Sequence, residues 1–384
     1  MNEEYYRAEI SLLNNEIYRL NRKIAEEQKN KSPDKMNPFD NPTEYPDFSG
    51  DYSDIMPELD APDCKIPLEP ELAERRKIRR FYSVGGWCLL GQFFMSNLLT
   101  YAIVYIIRMI IGSMNGGTDS EIIFTYIENS SIFAGITMLA FIISNVGFAF
   151  MGMKMSHIPK NQLIRTRNFS FGKAVQYCMI AFFLWELSYI IAIAIDDIFV
   201  HYGYTTDVMD TDGIGVTGTG FAIMTVYTCV IAPITEEIFF RGMLLRTFSR
   251  TNQRFAVFAT AFFFGISHHN IPQFTLAFIM GIFLAHITLK HNSVLPAIIV
   301  HIFVNTVSTL IPYVEELAGY IFTSMLVLVI ALTGFFLLYV FRETNKLPAT
   351  TPAQSRRGIA VAKSSVMFMI AVSVQIIYTI ILIM

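Results

Sequence analysis

The stretch "APITEEIFFRGMLL", Ala232 to Leu245, places two adjacent glutamates and an arginine inside an otherwise apolar run. Charged side chains are expensive to bury in a membrane, so an ionisable residue within a predicted span is by default a hypothesis about function. Glu237 and Arg241 are four residues apart, a spacing that predicts an ion pair on one helix face. Glu236 lies about 100° further round the helix. It is therefore predicted to stay free and to face the interior of a bundle.

The composition of the whole chain indicates a membrane protein. Of its 384 residues, 53% are hydrophobic and only 16% are charged, whereas soluble domains carry about 25% charged residues. The fold class predicted is all-α, a polytopic helical bundle in the lipid bilayer. Because the run at 255–269 is short for a span of about 20 residues, eight or nine transmembrane helices are expected. The apolar runs lie at 84–107, 131–153, 174–195, 219–240, 255–269, 274–289, 294–312, 318–341 and 364–384.

Basic residues are concentrated in every second segment that connects these runs. The segment before the first run contains "ERRKIRR" at 74–80, and every second connection after it is basic. The intervening connections are acidic or neutral, apart from Arg108, which ends the first span. Positive charge accumulates on the cytoplasmic side of membrane proteins. The pattern therefore predicts a multi-pass protein of a cell membrane, with its N-terminus in the cytoplasm and its C-terminus outside.

The first 80 residues differ from the rest and are predicted to form two segments. Residues 1–30 contain an apolar heptad seam, which predicts a short amphipathic helix. This helix can self-associate, dock on a partner or lie on the membrane surface. Residues 31–80 are predicted to be a disordered Pro/Asp-rich linker and a basic juxtamembrane segment, because 31–70 hold eight prolines. The bundle occupies 81–384, and the net charge of −3 gives no indication of nucleic-acid binding. The seam consists of Tyr6, Ile10, Leu13, Ile17, Leu20 and Ile24.

Polar residues in later runs are predicted to meet Glu236. His268 ends the run "FFFGISHHN", and His301 and Asn305 are four apart, on one face of another helix. A turn near 250–253 lies about 15 residues after Glu236 and about 16 before His268, which sets both at a similar depth if the two helices are antiparallel. The sequence thus predicts that four polar side chains from three helices converge.

Three motifs in this region resemble those of a known family. Glu-Glu-x-x-x-Arg at 236–241, Phe-x-x-x-His at 264–268 and His-x-x-x-Asn at 301–305 are similar to the motifs of the CPBP family. This is the CAAX protease and bacteriocin-processing family of intramembrane peptidases, also called the Abi family. The resemblance covers a peptidase core at about 220–312, roughly a quarter of the chain.

The resemblance implies an intramembrane endopeptidase that hydrolyses a peptide bond of a membrane-associated protein or peptide. Glu236 and His268 would activate a water molecule. His301 and Asn305 would donate to the oxyanion. Glu237 and Arg241 would hold the catalytic helix in register, with Phe264 as a further structural support of the site.

Other interpretations stay open at this level. Glu236, His268 and His301 could form a three-ligand zinc site, although metal-independent chemistry is favoured. The chain could also be a non-proteolytic scaffold, an immunity or regulatory protein of the same family, or a transporter that uses Glu186 and Glu236. An interhelical hydrogen bond or a protonated carboxyl is the simpler explanation of Glu186. His269 is expected to point away from His268, toward the outer loop.

Overall fold

The protein was analysed as a computed structural model. It describes residues 19–20, 22–23, 70–114, 131–164, 169–204, 219–250, 252–342 and 359–383. The chain divides into two units, Met1–Pro67 and Leu68–Met384. In the first unit only residues 19–20 and 22–23 are described, and they are helical. Apart from those four residues, the predicted heptad helix at 6–24 and the linker up to residue 69 lie outside the described residues.

The described part of the second unit is built from nine main helices and contains no strand, which confirms the all-α class. The fourth helix, α4 (219–248), contains the glutamate pair and changes its helical type along its length. The other helices are α1 (Pro70–Met114), α2 (Ser131–Met155), α3 (Phe171–His201), α5 (Gln253–Ile266), α6 (Ile271–His291), α7 (Leu295–Ala318), α8 (Tyr320–Val340) and α9 (Val366–Ile383).

Seven of these helices are long and apolar enough to cross a membrane, and the protein is a polytopic helical membrane bundle. The two exceptions among the nine are α5 and α9, which are shorter apolar helices. They correspond to the runs predicted as spans at 255–269 and 364–384. The expected count of eight or nine full spans is therefore replaced by seven long helices and two shorter ones within the described residues.

The first helix begins earlier than the sequence analysis predicted. α1 starts at Pro70 and continues without interruption to Met114. The end of the segment predicted as linker and juxtamembrane region, 70–80, is therefore helical. Its sequence "PELAERRKIRR" explains this, because proline suits a helix's first turn and Glu, Leu, Ala, Arg and Lys all have good helix propensity.

Side-chain caps determine where the short connections around the site begin and end. Asn252 accepts a hydrogen bond from the Phe255 backbone N–H at the start of α5. Asn270 accepts one from the Gln273 N–H at the start of α6. Each cap satisfies a backbone donor that has no partner within its own helix. The connections from α4 to α5 and from α5 to α6 are therefore tight.

Two apolar clusters hold the bundle together. One combines side chains of α1, α2, α4, α5 and α9, and the other is formed mainly by α3, α6 and α7. Both α6 and α7 contribute to the two clusters: Ile298 of α7 belongs to the first and Val300 to the second. His301, the next residue of α7, is buried. Its position brings a titratable ring to the boundary between the clusters.

Candidate active site

The helix that contains the glutamate pair is irregular on both sides of the pair. Within α4, Tyr227–Ile231 is π-helical, Ala232–Glu236 is α-helical, and Glu237–Leu245 is again π-helical. π-helical turns are rare and occur frequently at functional sites. Glu236 and Glu237 lie at the junction where α4 changes from an α-helix to a wider π-helix. Side chains that follow this junction therefore do not repeat every 3.6 residues, as they would in a regular α-helix.

Pro233 leaves one carbonyl of the first π-helical segment without a backbone donor. The Ala232 N–H donates to the Tyr227 carbonyl, five residues back. In the same pattern the next residue would donate to Thr228, but proline has no N–H. Asn305 of α7 supplies the missing bond, because its Nδ2 donates to the Thr228 carbonyl at 2.9 Å. The side chain predicted to face an oxyanion is thus engaged with the backbone of α4.

Arg241 neutralises Glu237 in the interior of the bundle. Arg241 Nη1 lies 2.6 Å from Glu237 Oε1, and both side chains are 0% exposed. The guanidinium Cζ is 4.3 Å from the centroid of the Phe264 ring, a cation–π distance. Nη2 also donates to the Gly281 carbonyl of α6 at 3.5 Å. The ion pair expected from the four-residue spacing is present and links α4 to α5 and α6.

His301 lies between the two glutamates. Its Nδ1 is 2.9 Å from Glu237 Oε1, and its Nε2 is 3.8 Å from Glu236 Oε2. A carboxylate only accepts, so Nδ1 donates to Glu237 and Nε2 is the nitrogen that faces Glu236. Glu236 keeps 25% of its side chain exposed, whereas Glu237 has none. Two adjacent carboxylates therefore occupy different environments, and a single imidazole contacts both.

Phe264 connects His268 to this group. His268 Nδ1 lies 2.8 Å from the Phe264 carbonyl, which can only accept, so Nδ1 carries a proton and Nε2 is free to exchange one. The Phe264 ring packs edge-on against His268 at 5.2 Å and against His301 at 5.7 Å between centroids. His268 makes no ion pair with Glu236 or Glu237. The structure therefore brings His268 to the edge of the site through an aromatic contact.

The described residues do not form the zinc site considered above. No group of three or more His, Cys, Asp or Glu side chains within the described part of the chain is arranged to hold a metal ion. His301 Nδ1 donates to Glu237 and His268 Nδ1 donates to the Phe264 carbonyl, so only the two Nε2 atoms could bind a metal, and with Glu236 they are not arranged to do so. Glu236, His268 and His301 thus do not fit a three-ligand set as they stand.

One secondary expectation needs correction, and one of the two alternatives for Glu186 has no support. His269 does not face the outer loop, since its Nδ1 lies 3.3 Å from Thr379 Oγ1 and its ring packs on Tyr378 of α9 at 4.6 Å between centroids. The interhelical hydrogen bond expected for Glu186 is not found among the described residues. His269 was misjudged because the sequence does not reveal that α9 covers the end of α5.

Comparison with known proteins assigns this region to a family. Residues 218–307 match the family described as type II CAAX prenyl endopeptidase Rce1-like. No curated protein and no solved structure matches the chain. The matched segment includes all of the site residues described above, from Glu236 to Asn305. Over this segment, less than a quarter of the chain, the protein is similar to the CAAX-protease family of intramembrane proteases.

Proposed function

We propose that this protein is an intramembrane endopeptidase that cleaves a peptide bond of a membrane-associated protein or peptide. The observation that supports this most directly is the position of His301 between a fully buried Glu237 and a partly exposed Glu236. The family match makes a prenylated CAAX peptide the first substrate to try.

In the proposed reaction Glu236 is the general base. Its carboxylate takes a proton from a water molecule, whose oxygen attacks the carbonyl carbon of the scissile bond. The C–N bond breaks and the departing nitrogen receives a proton, which leaves a carboxylate and an amine as products. His268 is the second proton-transfer group, because its Nε2 is free. The proposed oxyanion donors are the remaining N–H of Asn305 and, in the doubly protonated ring that keeps Nδ1–H on Glu237, the Nε2–H of His301.

Glu237 and Arg241 have a supporting role in this proposal. They neutralise each other and keep His301 oriented, so that the charge of Glu236 is the one available to the substrate. A buried pair of this kind contributes to position more than to stability.

We further propose that the reaction does not require zinc. Purified protein should contain zinc well below one ion per chain by mass spectrometry, and 1,10-phenanthroline should leave its activity unchanged. The physical reason is that no three candidate ligands among the described residues are arranged to hold a metal ion together. Activity that is lost on chelation and regained with added zinc would contradict this, and would mean that His268 and His301 rearrange.

The proposed function is tested first in cells. Neo-termini of membrane proteins are compared between cells that express the native chain and cells that express Glu236→Gln at matched levels. Cleavage products that occur only with the native chain establish a peptidase and identify its substrates. Identical termini, with a protein partner that co-purifies with both forms, would instead support the non-proteolytic scaffold.

A further inference from the structure

A buried pair of polar residues on α2 has no explanation in the site described so far. Ser144 and Asn145 are only 1% and 4% exposed. Ser144 Oγ and Asn145 Oδ1 have no hydrogen-bond partner within the described part of the chain. A buried polar group without a hydrogen-bond partner destabilises the folded state. α2 lies outside the segment that matches the family, so neither residue belongs to its motifs.

Asn145 is on the face of α2 that packs against α4. Ser156 Oγ lies 3.1 Å from Thr247 Oγ1 of α4. Gly152 is so close to α4 that an added Cβ would lie 2.7 Å from Met243 Sδ. Residues separated by 7 and 11 positions fall within about 40° of each other on an α-helix. Asn145 precedes Gly152 by seven and Ser156 by eleven, so all three share this face.

The register of the two helices sets Asn145 near the level of Glu236. Both contacts, Gly152 with Met243 and Ser156 with Thr247, join residues 91 positions apart, so the helices run parallel. When the same offset is carried seven residues back from the Gly152 contact, Asn145 corresponds to Glu236, so the two residues lie at a similar level along the helices. The π-helical turns of α4 have a smaller rise per residue than an α-helix. This changes the relative level of the two residues by less than one helical turn. The Ala232–Glu236 segment itself packs against α2.

α1 adds a third polar side chain to this region. Cys88 of α1 packs against Gly152, since a Cβ added to Gly152 would lie 2.8 Å from Cys88 Sγ. Gln92 lies one turn further along the same face of α1 and is 8% exposed. Because α1 and α2 are antiparallel, as shown by the approach of Gly91 to Phe148, this turn leads toward Asn145. Three uncharged polar residues therefore gather beside the catalytic segment of α4.

We propose that Asn145, with Ser144 and Gln92 beside it, binds a peptide group of the substrate next to Glu236. A carboxamide presents an acceptor and two donors in one plane, which complements the C=O and N–H of a peptide bond. A peptide that enters the bundle loses water and must find hydrogen-bond partners there. The absence of charge from the three residues suits a neutral backbone group. This inference rests on the proposed function and assigns a substrate-binding role to α2.

The test measures binding in a chain that cannot cleave. A fluorescent farnesylated CAAX peptide is titrated against the full-length Glu236→Gln protein in detergent micelles. Adding Asn145→Leu should raise the Kd about 10-fold, the equivalent of one lost hydrogen bond with a buried partner left behind. Asn97→Leu is the matched control, since the Asn97 amide is satisfied by the Phe93 carbonyl of its own helix. The control should leave the Kd unchanged.

Thermal stability separates substrate binding from helix packing. Because the Asn145 oxygen has no partner in the described chain, Asn145→Leu should keep or raise the Tm. Asn145→Ser, which is too short to reach the peptide, should raise the Kd similarly and provides a second variant if the leucine form does not fold. In the active protein, Asn145→Leu should raise KM and leave kcat unchanged.

These experiments distinguish a failure of the inference about Asn145 from a failure of the proposed peptidase function. An unchanged Kd, or a lower Tm with normal binding, overturns the role of Asn145. If the native chain yields neo-termini in cells but the Glu236→Gln protein does not bind the peptide, the inference is overturned and the proposed function stands. If neo-termini and peptide binding are both absent, the proposed function fails, and the inference with it.

Discussion

Glu236 and Glu237 are neighbours in sequence, but only one of them is charge-balanced at short distance. Glu237 has Arg241 at 2.6 Å and His301 at 2.9 Å, whereas the nearest cation-forming group of Glu236 is His301 at 3.8 Å. Proximity of a cation stabilises a carboxylate in a low-dielectric interior. The two residues should therefore respond differently to the same substitution.

Removing one member of the buried pair should destabilise the protein more than removing both. Glu237→Leu or Arg241→Leu leaves an uncompensated charge in the bundle and should cost about 3–5 kcal/mol. The double variant removes both charges and should recover much of that loss. Thermal unfolding in detergent measures the effect, and Glu236→Gln is the control, which should keep a native Tm. Equal losses for the double and single variants would contradict the assignment of the pair.

At the scale of elements, α4 departs from a regular helix, and Pro233 lies between its two π-helical stretches. The donor that Pro233 lacks is replaced by Asn305 from α7, so a defect in one helix determines the position of a second. The same contact holds Asn305 one turn from His301. The geometry of the site thus depends on an interruption in the backbone of α4 as well as on its polar side chains.

Restoring the missing donor should impair activity without harming stability. Pro233→Ala supplies an N–H that can bond to a carbonyl of the preceding turn and displace Asn305 from Thr228. We expect kcat to fall about 10-fold, comparable to the loss of one positioning hydrogen bond, with an unchanged or higher Tm. Pro296→Ala is the control, because Pro296 lies in the first turn of α7, where no N–H is needed. Equal activity of the two variants would exclude a role for the Pro233 interruption.

The sequence predicted the elements better than the contacts between them. Apolar runs located the helices because burial in lipid requires them, and the spacing of Glu237 and Arg241 predicted their ion pair. The bond from His301 to Glu237 was not predicted, because it joins positions 64 residues apart. The π-helical turns were missed for a related reason, since pattern reading assumes 3.6 residues per turn. Pro233 is a local signal of an irregular helix, but it does not specify π-helical turns.

At the scale of the whole molecule, the alternation of basic and acidic connections predicts how the bundle is oriented. The connection between α2 and α3 should be cytoplasmic and the one after α3 external. Cysteines introduced at Lys160 and Tyr202, both exposed, report on these two sides. The native Cys88, Cys178 and Cys229 are buried and should not react, and Cys64 is replaced by serine.

A membrane-impermeant maleimide provides the readout for this orientation. In intact cells it should label Tyr202→Cys directly and Lys160→Cys only after permeabilisation. Labelling in the reverse order would place the N-terminus outside and would change the side from which the candidate site is approached. Labelling of the parent protein, which has only the Cys64→Ser change, gives the background.

The buried charges of α4 also have a consequence for the biogenesis of the protein. A single Arg or Asp at the centre of an inserting helix costs about 2.5–3.5 kcal/mol, and α4 brings Glu236, Glu237 and Arg241 together. Its partners for these groups, Phe264, Gly281 and His301, are all synthesised later. We therefore expect the translocon to insert α4 inefficiently on its own. Stable integration of α4 should occur only after α7 has emerged from the ribosome.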